Sequence, residues 1–138
     1  MRSLAPFISG WLREFDKARL PYNINTLTQI SARFALSHAD RLADQAARIR
    51  ADRGRLITAL GALPGVTVYP SDTNFILLRL PAGRVTAAHE ALRCAGILVK
   101  NVHGSHPMLA DCLRVTVGTA AENDAMVRAL KAHLTGTV

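Results

Sequence analysis

The chain has 138 residues, of which 49% are hydrophobic and 20% are charged, with a formal net charge of +7. This length is typical of one domain, and the composition excludes an intrinsically disordered chain. No apolar run approaches the ~20 residues that a bilayer span requires, so no membrane partner is expected. The positive charge permits nucleic-acid binding, but the arginines are scattered and no aromatic RNA-binding motif accompanies them, so a nucleic-acid partner is not expected either.

Cysteine and histidine usage argues against a disulfide framework and a metal site. Cys94 and Cys112 are too few for a framework, and each lies in an apolar context, so we expect two buried, reduced thiols. His103 and His106 share one loop without the further ligands that a metal ion needs. The N-terminus lacks the apolar core and cleavage site of a signal peptide, which predicts a cytoplasmic protein.

A short amphipathic helix is predicted near the N-terminus. Trp11, Leu12 and Phe15 share one of its faces, and Pro21 ends it, because the residue before a proline disfavours the helical conformation. Large apolar side chains on a surface usually mark a partner. We therefore expect the chain to self-associate through residues 1–25, for example as a homodimer.

A long helical region follows this first helix. Apolar residues recur in it at three- and four-residue steps from Leu27 to Leu63. The pattern is interrupted near His38, which predicts two consecutive helices with a joint at that residue. Pro64-Gly65 ends the second of them.

The rest of the chain alternates short strands with helices. Strands are predicted at 66–69, 73–80, 97–100 and around Arg114, and helices from Val85 to a cap at Gly96 and over 120–134. Short turns after the first and third strands predict antiparallel neighbours, and the helices can cover one face of the sheet. The order predicts an α+β fold, a two-layer α/β sandwich with a small, mostly antiparallel sheet of about four strands.

The most informative stretch runs from Cys112 to Thr119. Arg114 interrupts an otherwise apolar strand, so it either lies on the opposite face of the strand or is held in place for an anion. A guanidinium group can give two parallel hydrogen bonds to a carboxylate or a phosphate. The alternative is a solvated arginine, or one paired with Asp111 or Glu122. Thr119 and Glu122 together form a capping box that begins the last helix.

Four motifs occur in order along the chain: Tyr69-Pro-Ser-Asp-Thr-Asn-Phe-Ile-Leu-Leu-Arg79, Gly96-Ile-Leu-Val-Lys-Asn101, His106-Pro107 and the Arg114 strand. Together with Pro21-Tyr22-Asn23, they resemble the C-terminal small domain of histidinol-phosphate aminotransferase, a pyridoxal-phosphate enzyme of aminotransferase fold type I. The resemblance extends over essentially the whole chain. It implies reversible amino transfer between L-histidinol phosphate and 2-oxoglutarate, in histidine biosynthesis.

The resemblance also implies a domain division. Residues 1–24 would be a short helix and a segment that leads into the domain, and residues 25–138 would be the small domain itself. The large, cofactor-binding domain of the family would be missing. A homodimer and small anionic substrates are the partners that this likeness implies.

Roles for three residues follow from the same resemblance. Arg114 would grip the substrate phosphate or a carboxylate of glutamate, Lys100 would stand where the family often has a second anion-binding arginine, and Asn74 would support the site. The family binds pyridoxal phosphate through a lysine, and none of the three lysines here, Lys17, Lys100 and Lys131, has the expected small-residue context. We therefore expect no catalytic or cofactor-binding residue, no bound cofactor and no activity in this chain alone.

Two alternatives to this interpretation stay open from the sequence. One is a stand-alone α+β binding or regulatory module for an anionic metabolite or a partner chain. The other is a basic nucleic-acid-binding domain. The amino-donor specificity also stays open, because related aminotransferases of aromatic substrates share this small domain.

Overall fold

The computed structural model describes residues 5–18 and 24–136, and the Pro21-Tyr22-Asn23 motif lies outside these ranges. The chain divides into two units, residues 1–42 and 43–138. The described helices are α1 (Ala5–Ala18), α2 (Thr26–Ser37), α3 (Ala39–Gly61), α4 (Val85–Cys94) and α5 (Ala120–Thr135), and the strands are β1 (Thr67–Val68), β2 (Phe75–Arg79), β3 (Lys100–Asn101) and β4 (Cys112–Thr116). Of these helices, none is long and apolar enough to cross a membrane.

The first unit contains α1 and α2. Asn25 caps α2, since its side-chain oxygen accepts a hydrogen bond from the backbone N–H of Thr28 at 2.8 Å. His38 ends α2 and the next helix begins at Ala39, so the predicted joint near His38 is confirmed. No residue along α2 is buried.

The second unit is built on an antiparallel sheet in the order β1-β2-β4-β3. The two central strands, β2 and β4, pair from Phe75 opposite Thr116 to Arg79 opposite Cys112. The antiparallel pairing of β1 with β2 and of β3 with β4 confirms the predicted α+β fold.

Alternate residues of the central strands face the helices and form the core. Ile76 and Leu78 of β2 and Leu113 and Val115 of β4 are almost completely buried, as the two-residue period of a strand requires. Residues of α3, α4 and α5 belong to the same cluster: Leu56, Leu60, Leu92, Met126 and Leu130. The opposite face of the sheet carries Arg114, which is exposed. The helices therefore cover one face of the sheet, as the sequence predicts.

The third strand begins three residues later than predicted, at Lys100. The N–H of Ile97 donates to the Leu92 carbonyl at 2.9 Å and closes α4, with Gly96 at φ +77° in the predicted left-handed cap. The Val99 carbonyl lies 3.2 Å from Nε2 of His89, again on α4. Because these residues bond to the helix, only the end of the predicted strand pairs with β4.

The prediction of two buried thiols is wrong for Cys94. Cys112 is buried in β4, but Cys94 is exposed at the end of α4, where its Sγ lies 3.6 Å from a Glu90 carboxylate oxygen. The buried side of α4 consists of Val85, Ala88 and Leu92. Position 94 is two residues beyond the last of these, and the helical period turns it toward solvent.

The predicted capping box at the start of α5 is present. The Thr119 hydroxyl accepts a hydrogen bond from the Glu122 N–H at 3.4 Å, and the Glu122 carboxylate accepts one from the Thr119 N–H at 2.8 Å. The backbone N–H of Thr119, and then its hydroxyl, lower the pKa of Glu122, because both donate to the ionised carboxylate.

We expect this capping box to make stability depend on pH. Because the pKa of Glu122 is lowered by folding, the ionised carboxylate stabilises the fold above the unfolded-state pKa, and this contribution is lost as the pH falls through the folded-state pKa. Glu122→Gln should therefore reduce the acid loss of stability in urea titrations between pH 7 and about pH 3. Equal acid sensitivity in the wild type and the variant would contradict the expectation.

Candidate functional site

Two cations face each other on the exposed face of the sheet. The pairing of β3 with β4 places Lys100 directly opposite Arg114, and residues directly opposite in an antiparallel pair share a face. Both side chains are exposed. Like charges in this arrangement destabilise a sheet. The arrangement therefore has an energetic cost that a bound anion would offset.

Neither cation is neutralised by a carboxylate of the described chain. Within residues 24–136, no ion pair or hydrogen bond joins Arg114 or Lys100 to an acidic side chain. The alternative pairing of Arg114 with Asp111 or Glu122 does not form there. The Asp111 carboxylate instead accepts a hydrogen bond from the Gly83 N–H at 3.0 Å, and Glu122 is held in the capping box.

The ring of Phe75 supports Arg114. The guanidinium carbon of Arg114 lies 5.2 Å from the centroid of this ring, a cation–π contact worth about 0.5–1 kcal/mol at an exposed site. The contact limits the rotamers of Arg114 and leaves its N–H groups available in the plane of the guanidinium. Sequence reasoning missed Phe75 as a site residue. Its place at the site follows from the pairing of β2 with β4: Leu77 is directly opposite Arg114, and Phe75 lies two residues before Leu77 on the same face of β2.

Asn74, the third residue that the resemblance implies, lies immediately before β2. Its carbonyl accepts a hydrogen bond from the Val117 N–H at 2.8 Å, which ties the end of β4 to the start of β2. Its side chain is exposed. The structure therefore brings Lys100 and Arg114 together and places Asn74 next to Phe75, the residue beneath the Arg114 guanidinium.

A third cation, Arg79, lies on the same face but is already engaged. Its Nη2 donates to the Met108 carbonyl at 2.7 Å, and its guanidinium carbon lies 5.7 Å from the centroid of the Tyr69 ring. The hydrogen-bonded Cys112, and then Tyr69, raise the pKa of Arg79, so it remains cationic. Arg79, Tyr69 and Met108 line an open groove of about 620 Å³. Through its hydrogen bond to the Met108 carbonyl, Arg79 holds the segment between β3 and β4 against the sheet.

The two histidines between β3 and β4 both accept hydrogen bonds from backbone N–H groups of the same segment. Nδ1 of His103 accepts a hydrogen bond from the Asp111 N–H at 2.9 Å, and Nδ1 of His106 accepts one from the Met108 N–H at 3.2 Å. In the part of the chain that the structure describes, no group of three or more His, Cys, Asp and Glu side chains could hold a metal ion.

The donor set of this face does not by itself fit pyridoxal phosphate. That cofactor requires a lysine nucleophile and an acidic partner for its pyridine nitrogen. Lys17 is paired with Glu14 on α1 at 2.7 Å, and Lys131 is exposed on α5. Lys100 lies directly opposite Arg114 on the same face of the sheet, and the Asp111 and Glu122 carboxylates are engaged in hydrogen bonds elsewhere.

Several solved structures share this fold. A decarboxylase from Sulfurospirillum multivorans matches 91% of this chain with a TM-score of 0.74 at 26% identity, using 37% of its own chain. L-Threonine-O-3-phosphate decarboxylase from Porphyromonas gingivalis matches 83% of this chain with a TM-score of 0.70 at 28% identity, and the match covers 36% of its own chain. The histidinol-phosphate aminotransferase from Clostridium acetobutylicum shares the fold over 86% of this chain, with a TM-score of 0.75 at 21% identity. The match covers 36% of the Clostridium acetobutylicum chain. The fold is that of the α+β small domain of fold type I, pyridoxal-phosphate-dependent aminotransferases.

Sequence comparison narrows this class, although no family model matches the chain. Histidinol-phosphate aminotransferase 2 of Nitrosococcus oceani is 53% identical over 123 residues, which make up 89% of this chain and 34% of that protein. Histidinol-phosphate aminotransferase 1 of Burkholderia lata is 52% identical over 127 residues, 92% of this chain and 35% of that protein. The chain spans about a third of the length of the curated relatives it matches. It is homologous to a segment of histidinol-phosphate aminotransferases, and the resemblance seen in its sequence is confirmed.

Proposed function

We propose that this chain supplies the anion-binding surface for the substrate of a pyridoxal-phosphate-dependent aminotransferase resembling histidinol-phosphate aminotransferase. The observation that carries the proposal is the position of Lys100 directly opposite Arg114, with neither paired to a carboxylate of the described chain. A phosphate or carboxylate would neutralise both charges. Arg114 would give it two parallel hydrogen bonds, and Lys100 would act as a point charge. Asn74 would support the site from the start of β2.

The reaction proposed for the complete enzyme is amino transfer between L-histidinol phosphate and 2-oxoglutarate, in histidine biosynthesis. The names of the curated relatives support it. Pyridoxal phosphate supplies the electron sink of such a reaction when it is bound. The present chain would bind and orient the anionic end of the substrate. We expect it to be inactive and without cofactor alone, and to work in the cytoplasm.

A second candidate function uses the same pair of cations. A stand-alone module for an anionic metabolite would also need Lys100 and Arg114 unpaired, as they are in the described chain. The two functions differ in the effect expected when this chain is joined to the part of a relative that it does not match. Only the first predicts that this chain completes a transaminase when it is joined to the remaining two-thirds of such a protein.

Titration with inorganic phosphate tests the proposed site directly. We expect saturable binding with a Kd of about 1–10 mM, because exposed ion pairs are weak, and the ionic strength must be held constant. Arg114→Ala should weaken binding about tenfold, since charge-assisted hydrogen bonds contribute about 1.5 kcal/mol or more. Lys100→Gln should weaken it about threefold. The backbone amide NMR shifts of β3 and β4 report binding at the site.

Arg128→Ala is the matched control for this titration. Arg128 is exposed on α5, whose residues Met126 and Leu130 face the core on the other side of the sheet. The variant removes the same charge and should change the Kd for phosphate by less than about twofold. If Arg128→Ala weakens binding as much as Arg114→Ala, the affinity for phosphate depends only on the net charge of the chain, and the proposed site is wrong.

A further inference from the structure

Arg53 is a charged residue within the apolar face of α3. It lies three residues before Leu56 and seven before Leu60, so the helical period places it on the same side of the helix as these two core residues. Its side chain is 14% exposed, whereas that of Arg55, two residues further along, is 71% exposed. A guanidinium group that has lost most of its contact with water needs hydrogen-bond acceptors. The acceptors of Arg53 therefore indicate what this side chain does.

Arg53 reaches the turn that leads into β2. Its Nη1 donates to the Thr73 carbonyl at 2.9 Å, and its Nη2 lies 3.4 Å from the Asp72 carboxylate. The Asp72 side chain is fully exposed, so the ion pair contributes little and the bond to the Thr73 carbonyl is the stronger of the two. This carbonyl belongs to the same planar peptide unit as the N–H of Asn74. Arg53 thus sets the orientation of the peptide from which Asn74 starts.

The hydroxyl groups of the same turn hold the first residue of β2. The Ser71 hydroxyl donates to the Phe75 carbonyl at 2.5 Å, and the Thr73 hydroxyl lies 3.2 Å from the same carbonyl. The N–H of Phe75 in turn donates to the Thr73 hydroxyl at 3.3 Å. Because the allowed rotamers of a side chain depend on its own backbone angles, a turn that fixes the Phe75 backbone also directs its ring.

We infer that Arg53 is a positioning residue of the anion site, an inference that rests on the function proposed above. Arg53 holds the turn, the turn holds the backbone of Phe75, and the Phe75 ring lies 5.2 Å from the guanidinium carbon of Arg114. Arg53 comes from the helix side of the sheet, whereas Arg114 is on the exposed face. Its effect on a bound anion is therefore transmitted through Phe75 and not through direct contact.

Phosphate titration of the whole chain tests this inference with Arg53→Met, which keeps an unbranched side chain against the core but has no N–H donor. We expect the Kd for phosphate to rise about threefold, the change that corresponds to loss of an exposed cation–π contact. Phe75→Leu should have a similar effect. The double variant should bind no more weakly than either single variant, because both changes remove the same contact. Arg53→Lys keeps the charge and one donor direction, so its Kd should be intermediate.

Arg55→Met is the matched control for these variants. It removes the same charge from the same helix, together with an ion pair to Asp52, but Arg55 has no bond to the turn before β2. Its Kd for phosphate should stay close to that of the wild type. If Arg55→Met weakens binding as much as Arg53→Met, the effect of Arg53 is one of charge and the inference is wrong.

The NMR signal of the Arg114 side-chain Nε–H separates positioning from a general loss of stability, because the ring current of Phe75 displaces this signal while the two groups are in contact. In folded Arg53→Met, as verified by urea titration, the signal should move toward its position in Phe75→Leu. If Arg53→Met does not fold, Arg53→Lys should show a smaller shift in the same direction.

An Arg114 signal that stays at the wild-type position would overturn the inference, and so would an unchanged Kd or additive weakening in the double variant. A wild-type chain that does not bind phosphate would instead contradict the proposed function. In that case the Arg114 signal still decides whether Arg53 positions Phe75 against Arg114.

Discussion

Leu113→Ala is expected to lower the free energy of unfolding of the second unit by about 3 kcal/mol. Leu113 is 0% exposed and lies between Leu78 of β2 and Asn101 of β3, on the face that packs against the helices. The truncation loses the transfer free energy of the removed atoms and leaves a cavity that the rigid sheet cannot close. In urea, the midpoint of unfolding should fall while the slope stays unchanged.

Leu98→Ala removes the same atoms from the surface and serves as the control. Leu98 is 87% exposed beside β3, so its truncation should change stability by no more than about 0.5 kcal/mol. A similar loss of stability in both variants would contradict the described sheet. A shift of one residue in strand register exchanges the buried and exposed sets, and that would bury the face that carries Arg114.

A chimera is expected to show transaminase activity when this chain replaces the matched 123 residues of the Nitrosococcus oceani relative. The substrates are L-histidinol phosphate and 2-oxoglutarate, and the isolated chain should be inactive and give no new absorption band with pyridoxal phosphate. Arg114→Ala should lower kcat/KM of the chimera about 10²-fold, because a bidentate contact away from water is worth about 3 kcal/mol. Steady-state kinetics of both proteins provide the measurement.

Two further variants sharpen the kinetic test. Arg114→Lys keeps the charge but loses the two-point contact, so its kcat/KM should be intermediate. Arg128→Ala changes a residue on the helix side of the sheet, so its kcat/KM should remain close to that of the unmodified chimera. Full activity after Arg114→Ala would contradict the proposed role. An inactive chimera, together with phosphate binding by the isolated chain, would favour the stand-alone module.

The elements that the sequence predicted well depend on short-range contacts. The capping box of Thr119 and Glu122, and the cap at Gly96, use hydrogen bonds between residues a few positions apart. The third strand was misplaced because an apolar run is compatible with several partners. The backbone N–H of Ile97 and the carbonyl of Val99 bond to α4 instead of β4.

The candidate site was accessible from the sequence only in part. Arg114 stood out as a charge within an apolar strand, and the family resemblance indicated Lys100 and Asn74, whose roles remain predictions. Phe75 was not identified, because its contact with Arg114 depends on the pairing of β2 with β4, which are distant in the chain. No local pattern encodes that pairing.

The sequence by itself determined the types of most elements, the caps of α4 and α5, the isolated charge at Arg114 and the likeness to histidinol-phosphate aminotransferases. These properties reside in neighbouring residues or in motifs that can be compared directly. Only the tertiary structure decided that Lys100 lies opposite Arg114, that Phe75 supports its guanidinium and that Cys94 is exposed. The physical reason is that strand register and helix rotation are set by contacts between distant segments, and one residue of slip moves a side chain to the other face.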